Sequence, residues 1–247
     1  MRIVFVRHGH PNYELDCLTE LGHLHAAAAA ERLADEGIEE IYSSTCGRAY
    51  ETAGYVARKL GLDIVKCDFM REISWGSIND KPLAFHGHPW DTVDHMVANN
   101  ESILDADWAE KEPFVHNKLV TDVQMIAKAT DDWLESLGYK REGKYYRVCG
   151  NANIGGHADG ALDSGGNLHS TRRTVAAFGH GGASAAILSH IFNLPFPFVC
   201  SVMGPNYTGI TVVTLPDDKD CLVSPRFEIM SDARHIEGLK VENVFSR

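Results

Sequence analysis

The stretch Arg2-Ile3-Val4-Phe5-Val6-Arg7-His8-Gly9 decides how the rest of the chain is read. Ile3 to Val6 form an unbroken apolar run of β-branched and aromatic residues, the pattern of a strand buried on both faces. Such a strand needs helices above and below it, and the next residues supply them. From Thr19, a plausible N-cap, a helix is expected through the alanine run Ala26–Ala30 to Glu36, with Gly37 as its stop. Glu40–Ser43 reads as a second strand. Gly47–Leu60 reads as a helix whose Ala49, Ala53, Val56, Ala57 and Leu60 share one face, closed by Gly61. Asp63–Cys67 is a third strand. A β-α-β-α-β opening is the mark of a parallel sheet covered by helices.

Beyond this opening the pattern loosens. Ser77 to Lys118 carries Pro82, Pro89 and Pro113 among many His and Asn residues and shows no clear period. A helix is expected over Val120–Leu137, a hairpin over Tyr139–Val148 around Glu142-Gly143, and a long loop over Cys149–Ser170. Thr174–Phe178 reads as a strand, Gly182–Phe192 as a helix, and Gly209–Leu215 and Arg226–Ile229 as strands. The fold class that follows is α/β: a three-layer α/β/α sandwich with a mostly parallel central sheet. Residues 1–247 are expected to form one domain, with 77–173 as a cap insertion.

The whole chain sets limits on function. Its 247 residues fit one large α/β domain, and 44% hydrophobic with 23% charged residues is ordinary globular composition. A net charge of −11 repels a nucleic-acid backbone, and no Lys/Arg run offsets it, so no nucleic-acid partner is expected. No apolar run reaches the roughly 20 residues needed to span a bilayer, so no membrane partner is expected. Arg7-His8 stands where the cleavage site of a leader would lie, and a cytoplasmic protein is the expectation. The six cysteines show no C-x-x-C pair and read as free thiols. The sequence gives no indication of oligomeric state.

The unusual residues sit at strand ends. Arg7-His8-Gly9 follows the first strand, Ser43-Ser44 the second, and Gly179-His180-Gly181-Gly182 the strand Thr174–Phe178. Ligands of open parallel sheets bind outside the carboxyl ends of strands, so these segments converge on one edge. His8 offers a neutral imidazole, a nucleophile that an anion does not repel. Arg7 beside it offers a planar fork suited to phosphate oxygens. Arg48 lies in the first turn of its helix, a poor place for a cation unless an anion is near. Gly181 and Gly182 free backbone N–H groups for an oxyanion, and His180 can donate to a phosphoryl oxygen. Glu72, next to Trp75 in Arg71-Glu72-Ile73-Ser74-Trp75-Gly76, has the surroundings of a general acid. Read singly, each segment also fits a plain role: a strand end, a solvated arginine, a structural histidine, or a surface pair of Arg71 with Glu72.

Read together and in order, these segments resemble the histidine phosphatase superfamily, also called the phosphoglycerate-mutase-like family. The resemblance covers Arg2 to about Gly76 and resumes from Thr174 to about Leu215. It rests on Arg7-His8-Gly9, Leu18-Thr19-Glu20-Leu21-Gly22, Tyr42-Ser43-Ser44 with Arg48 and Thr52-Ala53, Arg71-Glu72 with Trp75-Gly76, and Gly179-His180-Gly181. It implies that His8 attacks phosphorus to give a phosphohistidine. Arg7, Arg48 and His180 hold the phosphoryl oxygens, and Glu72 exchanges the proton. It implies no metal and no other cofactor, because the arginines take the place of magnesium. Many members have Thr and Asn where this chain has Pro11 and Glu14, and Asn12 is the residue that could replace those contacts. Gly181 joins Arg7, Arg48 and Asn12 as a substrate-binding residue, and the 77–173 insertion would select the substrate.

Four readings compete. A phosphomonoester hydrolase acting on a small phosphorylated metabolite is expected, because the additional arginine segment of mutases is missing after the acid motif. A phosphomutase would use the same His8. A zinc site would draw on the thirteen histidines, among them His86, His88, His157 and His169, yet no compact ligand set has zinc-like spacing. A catalytically dead binding module would be expected to lack a site residue, and none is lacking.

Overall fold

The computed structural model describes residues 1–149, 173–204 and 206–239. The arginine-histidine strand is β1 (Arg2–Arg7), followed by α1 (Glu20–Leu33), β2 (Ile38–Ser44), α2 (Gly47–Leu60) and β3 (Ile64–Cys67). Next come α3 (Pro89–Ala98), α4 (Leu119–Ser136) and the hairpin β4 (Tyr139–Glu142) and β5 (Tyr145–Val148). The chain closes with β6 (Thr174–Gly179), α5 (Gly181–Phe192), α6 (Phe196–Val202), β7 (Ile210–Thr214) and β8 (Arg226–Asp232). The central sheet has six strands in the order β8-β7-β1-β6-β2-β3. β1, β6, β2 and β3 pair in parallel, and β7 runs antiparallel between β1 and β8. The three-layer, mostly parallel sandwich is therefore the architecture found.

Alternation along β1 separates two cores. Val4 and Val6 pack with Ala30, Leu33, Ala53 and Val56 under α1 and α2. Ile3 and Phe5 pack with Ile126, Leu134, Leu188 and Phe196 under α4, α5 and α6. A strand buried on both faces can serve two hydrophobic clusters because successive side chains point opposite ways.

Some elements differ from expectation. Helix α1 stops at Leu33 rather than Glu36, because Arg2 and Arg32 both draw on the Glu36 carboxylate and Gly37 turns the chain at φ +67. Helix α3, inside the stretch read as irregular, begins with Pro89 and buries Thr92, Val93 and Met96. The proline signalled a helix start as well as a break. Helix α6 was equally hidden behind Leu194-Pro195. Within 77–173, α4 packs into the layer over the sheet, sharing a core with β1 and α5. Residues 150–172, including His157, His169 and Arg172, lie outside the described residues. Arg173 stands at the start of β6 and pairs with Glu40, at the sheet edge opposite His180. Among the described residues, no single helix is long and apolar enough to cross a membrane.

Candidate active site

Register brings the two histidines together. Arg7 and Gly179 are partners at the last paired position of β1 and β6, so the residue after each strand lands at the same sheet edge. The His8 backbone N–H donates to the Gly179 carbonyl at 3.0 Å, and the two imidazole centroids lie 5.1 Å apart. Both rings are buried. Thr52 of α2 accepts from the Gly9 N–H at 3.0 Å and donates to the Arg48 carbonyl at 2.8 Å, tying the His8 loop to α2.

The His8 ring is oriented by its own loop. Nδ1 lies 2.7 Å from the Gly9 carbonyl. A carbonyl only accepts, so Nδ1 carries the proton and Nε2 keeps its lone pair. Burial, then the charge of Arg7, pushes the His8 pKa well below its ordinary value, which keeps the ring neutral near neutral pH. The result is a neutral, oriented imidazole whose Nε2 is chemically able to act as a nucleophile.

Cations surround it without being used up. Arg7 Nε and Nη1 and Arg48 Nε are buried and lack hydrogen-bond partners. The Arg7 guanidinium lies 4.7 Å from the Tyr207 ring centroid. Unpartnered buried donors are costly, and a site built for an anion is one reason to keep them. Arg48 is otherwise engaged: Nη2 sits 3.1 Å from His180 Nδ1, and Nη1 pairs with Asp16. A guanidinium can only donate, so His180 accepts at Nδ1 and carries its proton on Nε2. That nitrogen lies 2.9 Å from Ser44 Oγ, which also accepts from the Cys46 N–H at 3.1 Å. Burial and the charge of Arg48 lower the His180 pKa to about 3. The expected hydrogen bond from His180 to a phosphoryl oxygen is therefore not preformed, because its N–H lies on Ser44 Oγ and its other nitrogen accepts from Arg48.

Glu72 lies against the start of α5. Its Oε1 accepts from the N–H groups of Ala183 at 3.0 Å and Ile73 at 3.1 Å. A Cβ at Gly182 would stand 2.7 Å from that oxygen and 2.5 Å from Ile73 Cγ1, so a glycine is needed for the two segments to meet. Burial raises the Glu72 pKa, and Arg7 and the two N–H groups only partly oppose it. The alternative reading, a surface pair with Arg71, does not form: Arg71 is exposed, near Asp68 at 3.8 Å.

Two sequence expectations found other geometry. Asn12 commits its carbonyl oxygen to the N–H groups of Glu14 and Leu15, each at 3.1 Å, so it shapes the loop over residues 12–15. The anion expected beside Arg48 is present within the chain itself. Asp16 accepts from the Gly47 N–H at 2.7 Å and from Arg48. Nothing local to Leu15-Asp16-Cys17 announced that role; the unfavourable place of Arg48 was the only signal. Gly181 lines a small cavity together with Arg7, His180 and Ser184. Among the described residues, no group of three or more His, Cys, Asp or Glu side chains is placed to hold a metal ion.

Residues 3–132 match the family described as the histidine phosphatase superfamily (branch 1), just over half of the 247-residue chain. A probable phosphoglycerate mutase of Yersinia pestis is 36% identical over 66 residues, which are 27% of this chain and 31% of that protein. The chain thus matches less than a third of the length of the curated relatives of that name. Among solved structures, the mycobacterial glucosyl-3-phosphoglycerate phosphatase in complex with inorganic phosphate aligns with a TM-score of 0.63 and 24% identity, over 95% of this chain and 98% of that one. Phosphoserine phosphatase from Entamoeba histolytica aligns with a TM-score of 0.59 and 17% identity, over 95% of this chain and 98% of that one. At these identities the two structures are likenesses of fold.

Proposed function

Because this chain belongs to the histidine phosphatase superfamily, we propose that it is a phosphomonoester hydrolase working on a small phosphorylated metabolite through a phosphohistidine. The observation that carries this reading is the His8 imidazole, held by the Gly9 carbonyl so that Nε2 is free, beside the unpartnered donors of Arg7 and Arg48.

The reaction has two halves. In the first, the Nε2 lone pair attacks phosphorus, the P–O bond to the leaving group breaks, and Glu72 gives that oxygen its proton. Arg7 and Arg48 gather the charge on the phosphoryl oxygens, the part a metal ion plays in other phosphoryl-transfer sites. His180 stays neutral and acts through Arg48, whose Nη2 it holds at Nδ1. In the second half Glu72, now a carboxylate, takes a proton from water, whose oxygen attacks phosphorus and breaks the P–N bond. Free phosphate leaves and His8 returns neutral. The 77–173 insertion, where it lies over this edge, would choose among leaving groups.

A mutase would share every step except the last, with a second hydroxyl replacing water. The name of the curated relatives favours testing it directly. Purified protein is to be screened against phosphomonoesters that include phosphoserine, 3-phosphoglycerate and glucosyl-3-phosphoglycerate, measuring free phosphate and isomer formation together. We expect phosphate release with no isomer, and an acid-labile phosphorylated protein after rapid quenching. His8→Ala should lose at least about 10⁴-fold in kcat/KM with an unchanged melting temperature. Comparable turnover in both proteins would remove the nucleophile assignment, and isomer as the main product would establish the mutase.

A further inference from the structure

We propose that Asp16 is a positioning residue of the phosphoryl site, acting through Arg48, an assignment that rests on the phosphatase reading above. Its carboxylate spans two donors that belong to one helix turn. Oδ2 accepts from the Gly47 N–H at 2.7 Å, and Oδ1 accepts from Arg48 Nη1. The opposite end of the guanidinium is fixed by His180 Nδ1 at 3.1 Å. A planar fork held at both terminal nitrogens cannot turn about its long axis. Its buried Nε–H, left without a partner, is thereby presented in one direction.

Several features bring this carboxylate to its place. Asp16 adopts a left-handed backbone, φ 50, a conformation that aspartate tolerates better than most residues. Gly47 admits the loop: a Cβ there would stand 2.1 Å from the Asp16 carbonyl oxygen. Asn12 ties the loop from within by accepting from Glu14 and Leu15. Tyr13, on the same loop, lies with its ring centroid 5.4 Å from the Arg48 guanidinium carbon and 6.4 Å from the His8 ring. The loop thus reaches Arg48 twice, once by charge and once by an aromatic face.

The alternative role for a carboxylate here is proton donor, and the surroundings argue against it. Burial pushes the Asp16 pKa up, but the Gly47 N–H and Arg48 outweigh it and leave the group below its ordinary value. Asp16 is therefore an anion at every pH where the enzyme would work. A fixed anion beside Arg48 could instead compete with substrate. The two roles predict opposite results, because a competitor's removal strengthens phosphate binding and a positioning group's removal weakens it.

The test compares wild type, Asp16→Asn, Arg48→Ala and the double variant. Calorimetric titration with inorganic phosphate and kcat/KM on p-nitrophenyl phosphate are the readouts, with thermal melting as a control. Asp16→Asn keeps an acceptor for the Gly47 N–H while losing the charge. We expect about 10-fold weaker phosphate binding and about 10-fold lower kcat/KM in the wild-type background, and under 2-fold in the Arg48→Ala background. Asp16→Ala, which also gives up the Gly47 contact, should lose at least as much and serves if the Asn variant folds poorly. Unchanged or tighter phosphate binding in both Asp16 variants overturns the proposal. An equal loss in both Arg48 backgrounds overturns it as well, since that marks a structural effect not routed through the guanidinium. A wild-type protein that neither binds phosphate nor releases it sinks the phosphatase reading first, and this one with it.

Discussion

Two carboxylates in this molecule meet a helix start in the same way, and the protein treats them oppositely. Glu72, after β3, accepts from a backbone N–H in the first turn of α5, and Asp16, before α1, accepts from the first N–H of α2. Each feels the charge of Arg48. Glu72 is nonetheless pushed up and Asp16 down. The difference is burial: Glu72 is wedged between Ile73 and Gly182, while the Asp16 side chain is 44% exposed and pairs directly with Arg48. Backbone donors and nearby cations do not by themselves decide the protonation of a carboxyl group. The share of water it retains and the closeness of its counter-charge do. Divergent environments of this kind are how one site keeps an acid and a fixed anion side by side.

The largest effect that bears on this comparison comes from Glu72→Gln. If burial keeps Glu72 protonated for proton donation, the variant should lose about 10²–10⁴-fold in kcat on a substrate with a poor leaving group. It should lose far less on p-nitrophenyl phosphate, whose leaving group needs little help. The pH profile sharpens the point. Activity needs His8 neutral, hence a pH above its lowered pKa, and Glu72 protonated, hence a pH below its raised pKa. The acid limb of kcat/KM should therefore fall well below pH 6.5 (the ordinary histidine value). Glu72→Gln should flatten the alkaline limb and leave the acid limb in place. A profile whose alkaline limb survives in the variant removes Glu72 as the acid.

The next effect addresses the wedge itself. Gly182→Ala forces a methyl group against Ile73 and the Glu72 carboxylate, and should cost about 1–3 kcal/mol of stability by thermal or denaturant unfolding. Its activity should fall with it, because Glu72 must move. Full stability in that variant would mean that the two segments part easily and that Glu72 is less buried than described. The smallest effect lies on the Asp16 side. Glu51 accepts from the Leu18 N–H at 2.7 Å and so anchors the far end of the Asp16 loop to α2. Glu51→Ala should cost about 0.5–1.5 kcal/mol and change kcat/KM by less than about 3-fold, since Asp16 and Arg48 keep their own contacts.

The comparison also explains what could be read from the residues alone. The sheet was legible because β1 and β6 are apolar runs, each leading into a His-Gly pair, and burial on both faces leaves little ambiguity. His8, His180 and Arg48 were legible because each directly follows a strand or opens a helix, where topology forces convergence, and Glu72 because it stands beside Trp75 in the segment after β3. Asp16 was not, because its role arises from a left-handed turn and a contact 32 residues away. Asn12 shows the complementary case: polar residues in tight loops commonly hold their own backbone, and its carbonyl oxygen does so here. Helix α3 was missed because its buried residues, Val93 and Met96, give too short a period between prolines and histidines to stand out.

The alternation along β1 has one more consequence. Because Val4 and Val6 belong to one core and Ile3 and Phe5 to the other, the strand has a parity, and His8 inherits it. Deleting any one residue from Ile3 to Phe5 would exchange the clientele of the two cores and turn the imidazole toward the wrong side of the sheet. The address of the proposed nucleophile is therefore written as a count from the strand's beginning, and drift in length is far less tolerable there than drift in composition.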